Sequence, residues 1–577
     1  MEANFKILTV APNLIQIEVI DIKKFKQESE DLKIGSYLKI SDSSDTSIIA
    51  LVQSFKIKDP NKEGGDIEQQ NQNFIIDAQS IGFLDGNQKF RRGGQQIAIP
   101  PSDVSIVEES VLKKIYALAD EDKQFIFSSL AQNDTIDIAV DGDKFFSKHI
   151  AVVGSTGSGK SGTVAKILQE GIKLGKREEG ILNNSHIILF DLHGEYAPAF
   201  PGANMLNVDT LTLPYWLMNS EELEEMFIES NENNSHNQIS QFKNAVTLNK
   251  KKHNQSLSKI NYDTPVYFSF EEVYRYISNH NIATKDASTG ELKIKNKVPN
   301  IADEFQLFEK IEFEEKKTGK INSGPYAGEF DRFIPRLETK LNDDRLSFLL
   351  KPRKEDDSEY KTEDLVALLT QFLGYSENNK SNITIIDLSG IPFEVLSLVV
   401  SLISRLVFDF CFHYKNFKEE GNEAPFLLVL EEAHNYIPQS QGAKYYSVKK
   451  SIERIAKEGR KYGLSLMIVS QRPSEISETI FSQCNNFVAM RLTNPTDQQY
   501  VKRLMPDSVS AITDNLPSLE RQEALIIGDS IPIPTIVKIK DLEHKPASND
   551  INFQTEWKKD WVQIAFDGLI KKMKKQE

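Results

Sequence analysis

Eight consecutive residues, Gly154-Ser155-Thr156-Gly157-Ser158-Gly159-Lys160-Ser161, constrain this chain more than any other feature. They match the phosphate-binding pattern G-x-x-x-x-G-K-[ST] without a gap. The apolar run Ile150-Ala151-Val152-Val153 before them reads as a buried parallel strand. After them, Ala165, Ile167, Leu168, Ile172 and Leu174 are spaced for a helix. Strand, glycine loop and helix are the setting the pattern needs, because backbone N–H groups then curl around phosphate oxygens and the helix adds its positive end. The expected nucleotide cradle is Gly154, Ser155, Thr156, Gly157, Ser158, Gly159, Lys160, Ser161 and Gly162. Lys160 would neutralise the β and γ phosphates and the Ser161 hydroxyl would ligate Mg²⁺. ATP and Mg²⁺ are the expected cofactors.

A hydrolytic site of this kind needs acids at the end of a second strand. Phe426-Leu427-Leu428-Val429-Leu430-Glu431-Glu432 supplies them. Glu431, where most such proteins carry Asp, is expected in the Mg²⁺ shell. Glu432 is expected to orient or deprotonate the attacking water. The same pair also describes an exposed strand end. The run Leu464 to Val469 closes on Ser470-Gln471, which would put Gln471 beside the γ phosphate; a solvent-facing strand cap is the alternative. Arg454 and Arg460 lie just before that strand, and either would suit a finger reaching a neighbouring subunit's nucleotide, or a solvated helix face. Asp191, His193 and Glu195 lack a further His or Cys cluster, so structural or nucleotide-adjacent duty is expected there. Lys250-Lys251-Lys252-His253 reads as a solvated charge run.

With 577 residues the chain has room for two or three domains. Cys411 and Cys484 alone build no disulfide or metal framework, which suits a reducing compartment. No apolar stretch looks long enough to span a bilayer, and the start Met1-Glu2-Ala3-Asn4 lacks a signal pattern, so a cytoplasmic protein without a membrane anchor is expected. The net charge of -15 argues mildly against coating nucleic acid, but not against a ring that is acidic outside and basic within.

Short apolar runs recur from Leu14 to Ile99 (Leu14 to Ile20, Tyr37 to Ile40, Ile48 to Phe55, Phe74 to Phe83, Gln96 to Ile99), the pattern of a small β-barrel over residues 1–107. Ser110 to Gln132 reads as helical. The nucleotide-binding core would occupy 108–200 and resume at 381–547, around a polar helical insertion at 201–380. A C-terminal amphipathic helix would fill 548–577, from Trp557 to Lys575. Strands alternating with helices make this an α/β chain with a mostly parallel sheet and its active residues at the strands' C-terminal ends.

The phosphate loop, Asp191-Leu192-His193-Gly194-Glu195-Tyr196, Leu213-Pro214-Tyr215-Trp216-Leu217, Glu431-Glu432-Ala433-His434, and Gly459 to Gly463 through Ser470 to Ser474 stand in an order that resembles the HerA branch of the HerA/FtsK superfamily. The resemblance covers most of the chain. It implies a RecA-like motor behind a small N-terminal barrel, and a homo-hexamer that threads double-stranded DNA using ATP. It further implies a partner nuclease or antiphage effector. Lys148 stands where the family often carries an arginine that contacts the neighbouring site. Two rival expectations are a regulatory ATPase ring that scaffolds and activates a partner effector with little translocation, and a packaging or conjugative pump. The N-terminal barrel is expected to dock the partner, with the remaining motor still binding ATP after removal of residues 1–107.

Overall fold

The computed structural model describes the chain except residues 1–4, 12–13, 21–31, 42–45, 58–73, 87–88, 93–102, 119, 176–181, 229–234, 296–303, 377–378, 418, 420, 440–445, 505–509, 548–550 and 574–577. Its centre is an 11-stranded sheet. In spatial order the strands are Asn204–Leu206, Ile383–Asp387, His186–Asp191, Phe426–Leu430, Leu464–Ser470, Ile150–Val153, Asn486–Met490, Glu523–Gly528, Thr535–Ile539, Gln124–Leu130 and Asn133–Asp141. The first seven run parallel. The last four continue the sheet antiparallel. Four strands, Ile150–Val153, Phe426–Leu430, Leu464–Ser470 and Asn486–Met490, are buried at every position. They lack inside/outside alternation because helices cover both faces.

The α/β expectation holds, with three differences in detail. Ser110 to Gln132 is not one helix: Glu109–Tyr116 is helical and Gln124–Leu130 is a strand. Phe125 and Phe127 are buried there against Phe145, a contact that outweighs the local helical spacing. Asn204–Leu206, inside the segment 201–380 expected to be a helical insertion, forms the sheet's edge. The C-terminal segment carries two short helices, Phe553–Trp557 and Phe566–Met573, in place of one.

The N-terminal strands form a seven-stranded antiparallel sheet whose end strands, Phe5–Ala11 and Asp103–Ile106, do not pair with each other. It is an open half-barrel. The run Gln96 to Ile99 lies outside the described residues. Period-two alternation divides the sheet between two cores. Ile15, Ile17, Leu38, Ile40 and Ile76 pack among themselves. Tyr37, Ile49, Leu51 and Leu84 pack into the core of the large sheet. The Tyr116 hydroxyl donates to that of Tyr37 at 2.7 Å and accepts from Thr535 Oγ1 at 3.1 Å.

Helix Phe393–Phe417 is long and apolar enough to cross a membrane by length and composition, contrary to the expectation of no such stretch. It is a core helix, with 78% of its most apolar window buried. The insertion is tied to it by a buried pair: Arg405 Nη2 lies 2.9 Å from Glu222 Oε2 and also donates to the Leu217 carbonyl at 2.6 Å. The lysine run is likewise not simply solvated. Lys250 is fully buried and donates to the carbonyls of Tyr262 and Thr264 at 2.6 and 2.7 Å, while burial pulls it down to about 7.

A buried histidine, His149, and a partly buried one, His280, make the fold sensitive to acid. His149 accepts from the Leu466 N–H at Nδ1 (3.0 Å) and reaches the Ala456 carbonyl through Nε2 (3.0 Å), which requires the neutral ring. Burial lowers His149, and lowers His280 to about 4. A histidine depressed in the fold stabilises fully above its unfolded value near 6.5, and that contribution is lost as pH falls towards the folded value. The melting temperature is therefore expected to drop between pH 7 and pH 4, and His280→Phe should flatten part of that slope. A melting temperature independent of pH over this range would contradict the assignment.

Candidate nucleotide site

The phosphate loop leaves strand Ile150–Val153 and enters helix Lys160–Lys173. Two of its glycines are demanded by shape. A Cβ on Gly154 would meet Ser158 Oγ at 2.6 Å and Met490 Cβ at 2.8 Å. Gly159 caps the helix at φ 103, a left-handed conformation that glycine adopts without strain. The loop is braced from the side. The Ser155 N–H donates to the Arg491 carbonyl at 2.8 Å, Thr493 N–H donates to Ser155 Oγ at 3.0 Å, and Gln522 N–H donates to the Ser158 carbonyl at 3.1 Å.

Parallel pairing sets the loop beside the ends of two other strands. Lys160 Nζ stands 3.7 Å from Glu432 Oε1, and both are buried. The Thr156 hydroxyl donates to Gln471 Oε1 at 2.6 Å, and the Gln471 N–H donates to Glu432 Oε2 at 3.3 Å. Glu432 sits at φ 44, a left-handed position strained for a non-glycine residue. Strain of this kind costs on the order of 1–3 kcal/mol and gathers at functional sites. His434 Nδ1 lies 3.3 Å from Glu432 Oε2 and 3.1 Å from Ser470 Oγ.

Glu431 points the other way along the same turn. Its Oε2 accepts from the Leu192 N–H at 3.1 Å, and its main-chain carbonyl accepts from the Tyr436 hydroxyl at 2.7 Å. Burial, then the neighbouring Asp191, Glu432 and Glu195 carboxylates, push Glu431 up to about 9. Asp191 is fully buried and accepts from the main-chain N–H groups of Glu195 (3.2 Å) and Tyr196 (2.9 Å). Ser161 Oγ donates to Glu195 Oε2 at 3.3 Å. A Mg²⁺ ion fits this donor set. Hydroxyl and carboxylate oxygens are what a hard divalent cation takes, and a cation would offset the crowding of acids.

Lys160, Glu432 and Gln471 thus share one network, and Ser161 and Glu431 lie in an adjoining group with Asp191, Glu195 and Tyr196. Arg454 and Arg460 do not join them. The Arg454 guanidinium stacks 4.2 Å from the centre of the Phe408 ring and lies 3.7 Å from Asp409. Arg460 lines a cavity of about 470 Å³ with His186, Phe426 and Leu464, at the strands' N-terminal ends, opposite the phosphate loop. Lys148, at that same end, pairs with Asp529 at 2.7 Å. Sequence reasoning gave His434 no role although it follows Glu432 by two residues. It also missed Gln522 and Thr493, which come from strand ends far along the chain and carry no local signal.

Residues 126–407 match the family model described as the central domain of helicase HerA. The chain is 27% identical over 423 residues to the DNA double-strand break repair helicase HerA of Sulfolobus acidocaldarius, covering 72% of this chain and 69% of that one. It is 24% identical over 555 residues to the probable DNA double-strand break repair helicase HerA of Methanocaldococcus jannaschii, covering 92% and 95%. Among solved structures, VirB4 of Thermoanaerobacter pseudethanolicus aligns with a TM-score of 0.47 at 15% identity, over 74% of this chain and 98% of that one.

Proposed function

We propose that this chain, whose residues 126–407 match the model described as the central domain of helicase HerA, is an ATP-hydrolysing motor that moves double-stranded DNA as a homo-hexameric ring. The convergence of Lys160, Glu432 and Gln471 on one loop carries the ATPase reading. Lys160 leaves Glu432 for the β and γ phosphates when ATP enters. Glu432, freed from that pair but still held by the Gln471 N–H, takes the proton of the attacking water. Gln471 exchanges Thr156 for the γ phosphate and so senses it. Ser161 and Glu431 would hold Mg²⁺, which would supply neutralisation of the phosphate charge. In this reading Arg454 or Arg460 serves a neighbouring copy's nucleotide, since both stand apart from their own. DNA as the substrate rests on the relatives, which are named as DNA double-strand break repair helicases. A partner nuclease or antiphage effector, docked through the N-terminal half-barrel, whose end strands do not pair with each other among the described residues, completes the reading for a cytoplasmic protein.

The net charge of -15 favours a second reading, a ring that scaffolds and activates its effector while moving little DNA. ATP turnover with and without linear duplex at 50 and 200 mM salt separates them. A motor should be stimulated several-fold at low salt, with the gain shrinking steeply at high salt as phosphate contacts are screened. Turnover indifferent to DNA would favour the scaffold, and no turnover under any condition would refute both.

A further inference from the structure

We propose that Glu195 is a further residue of the cation site: its carboxylate holds the Ser161 hydroxyl while no cation is bound, and supports the cation's shell once that hydroxyl turns to the metal. The inference rests on the ATPase reading above and extends it to a residue outside the phosphate loop and the acidic strand end.

Three observations carry it. Ser161 Oγ donates to Glu195 Oε2 at 3.3 Å, so the hydroxyl expected to meet the cation is already directed at this carboxylate. The Glu195 main chain is fixed on both sides, its N–H on Asp191 Oδ1 (3.2 Å) and its carbonyl on the Ala547 N–H (2.8 Å), with Gly194 at φ 68 just before it. Asp191, Glu431 and Ala547 hold this loop through its main chain, so the Glu195 side chain is not needed to shape it. Third, Tyr196 is fully buried in the same cluster. It faces Ser161, Glu431, Asp191 and Glu195. The Ser161 hydroxyl thus sits among several carboxylates, whose mutual repulsion a hard cation would offset. Acids that orient the ligands of a metal typically carry about 10–100-fold of its affinity.

The test uses the full chain with fluorescent ATP and with Mn²⁺ followed by its paramagnetic resonance signal. Glu195→Ala and the nearly isosteric Glu195→Gln should bind nucleotide in EDTA within about twofold of the unaltered protein. Their nucleotide complexes should hold Mn²⁺ about tenfold or more weakly. Ser161→Ala should weaken Mn²⁺ as well, and adding Glu195→Ala to it should cost less than in the parent, because the two act through one contact. Mn²⁺ affinity unchanged in both Glu195 variants, with nucleotide binding intact, would overturn this assignment alone. Failure of the unaltered protein to bind ATP would overturn the ATPase reading and this assignment with it.

Discussion

Glu432→Gln should bind ATP as the unaltered protein does and turn it over about 10²–10⁴-fold more slowly, the range a positioned general base contributes. The amide keeps the size of the carboxylate and can still accept from the Gln471 N–H, so the turn should persist. What it loses is basicity and the charge that faces Lys160 at 3.7 Å. Lys160→Ala should fail one step earlier, at nucleotide binding itself. Glu432→Gly separates function from strain. Glycine occupies φ 44 without penalty, so that variant should be at least as resistant to heat as the parent while equally inactive. Single-turnover hydrolysis and equilibrium ATP binding on the same samples provide the check. A Glu432→Gln chain hydrolysing at the parental rate would remove Glu432 from the chemistry.

Glu222→Ala should be among the most destabilising single changes in the chain, by about 3–5 kcal/mol, because it strands the buried Arg405 guanidinium. Glu222 is completely buried and accepts from Arg405 Nε and Nη2, from Ser401 Oγ, and from the Asn219 N–H that opens its own helix. Replacing both partners together, Glu222→Leu with Arg405→Met, should recover most of the loss, since a matched apolar pair leaves no charge behind. Trp216, buried and hydrogen-bonded to the Tyr360 carbonyl, reports on this region by fluorescence during urea unfolding. A double variant as unstable as the single one would show that packing around Arg405, not charge pairing, sustains the region.

The parts legible in the sequence are those where neighbours in the chain are neighbours in space. The phosphate loop, the strand that ends in Glu431-Glu432 and the strand that ends in Gln471 each write their role within about ten consecutive residues, and parallel pairing then aligns their ends. Lys250 was opaque because the carbonyls that hold it come from Tyr262 and Thr264, beyond the end of its own helix. Gln124–Leu130 was misread because Phe125 continues the apolar spacing of the preceding helix, and only the Phe145 contact shows which period applies. Nothing local announces that Gln522, past the last parallel strand, returns to brace Ser158.

The shared core of the N-terminal half-barrel and the large sheet bears on how force would pass between them. Tyr37 meets Tyr116, Tyr116 meets Thr535, and the strand that Thr535 begins runs to Ile539, whose N–H donates to the carbonyl of Gln522, the residue resting on the phosphate loop. Side-chain and main-chain hydrogen bonds connect each step of this path. A protein gripping the half-barrel would therefore hold a stiff lever, and its pull would arrive at the nucleotide with little lost to slack. Cutting the chain at residue 107 would also bare the Tyr116 ring and the apolar side chains around it, leaving a damaged motor in place of a free one. To learn whether a partner docks on the half-barrel, its outer face has to be altered one residue at a time, with the lever left attached.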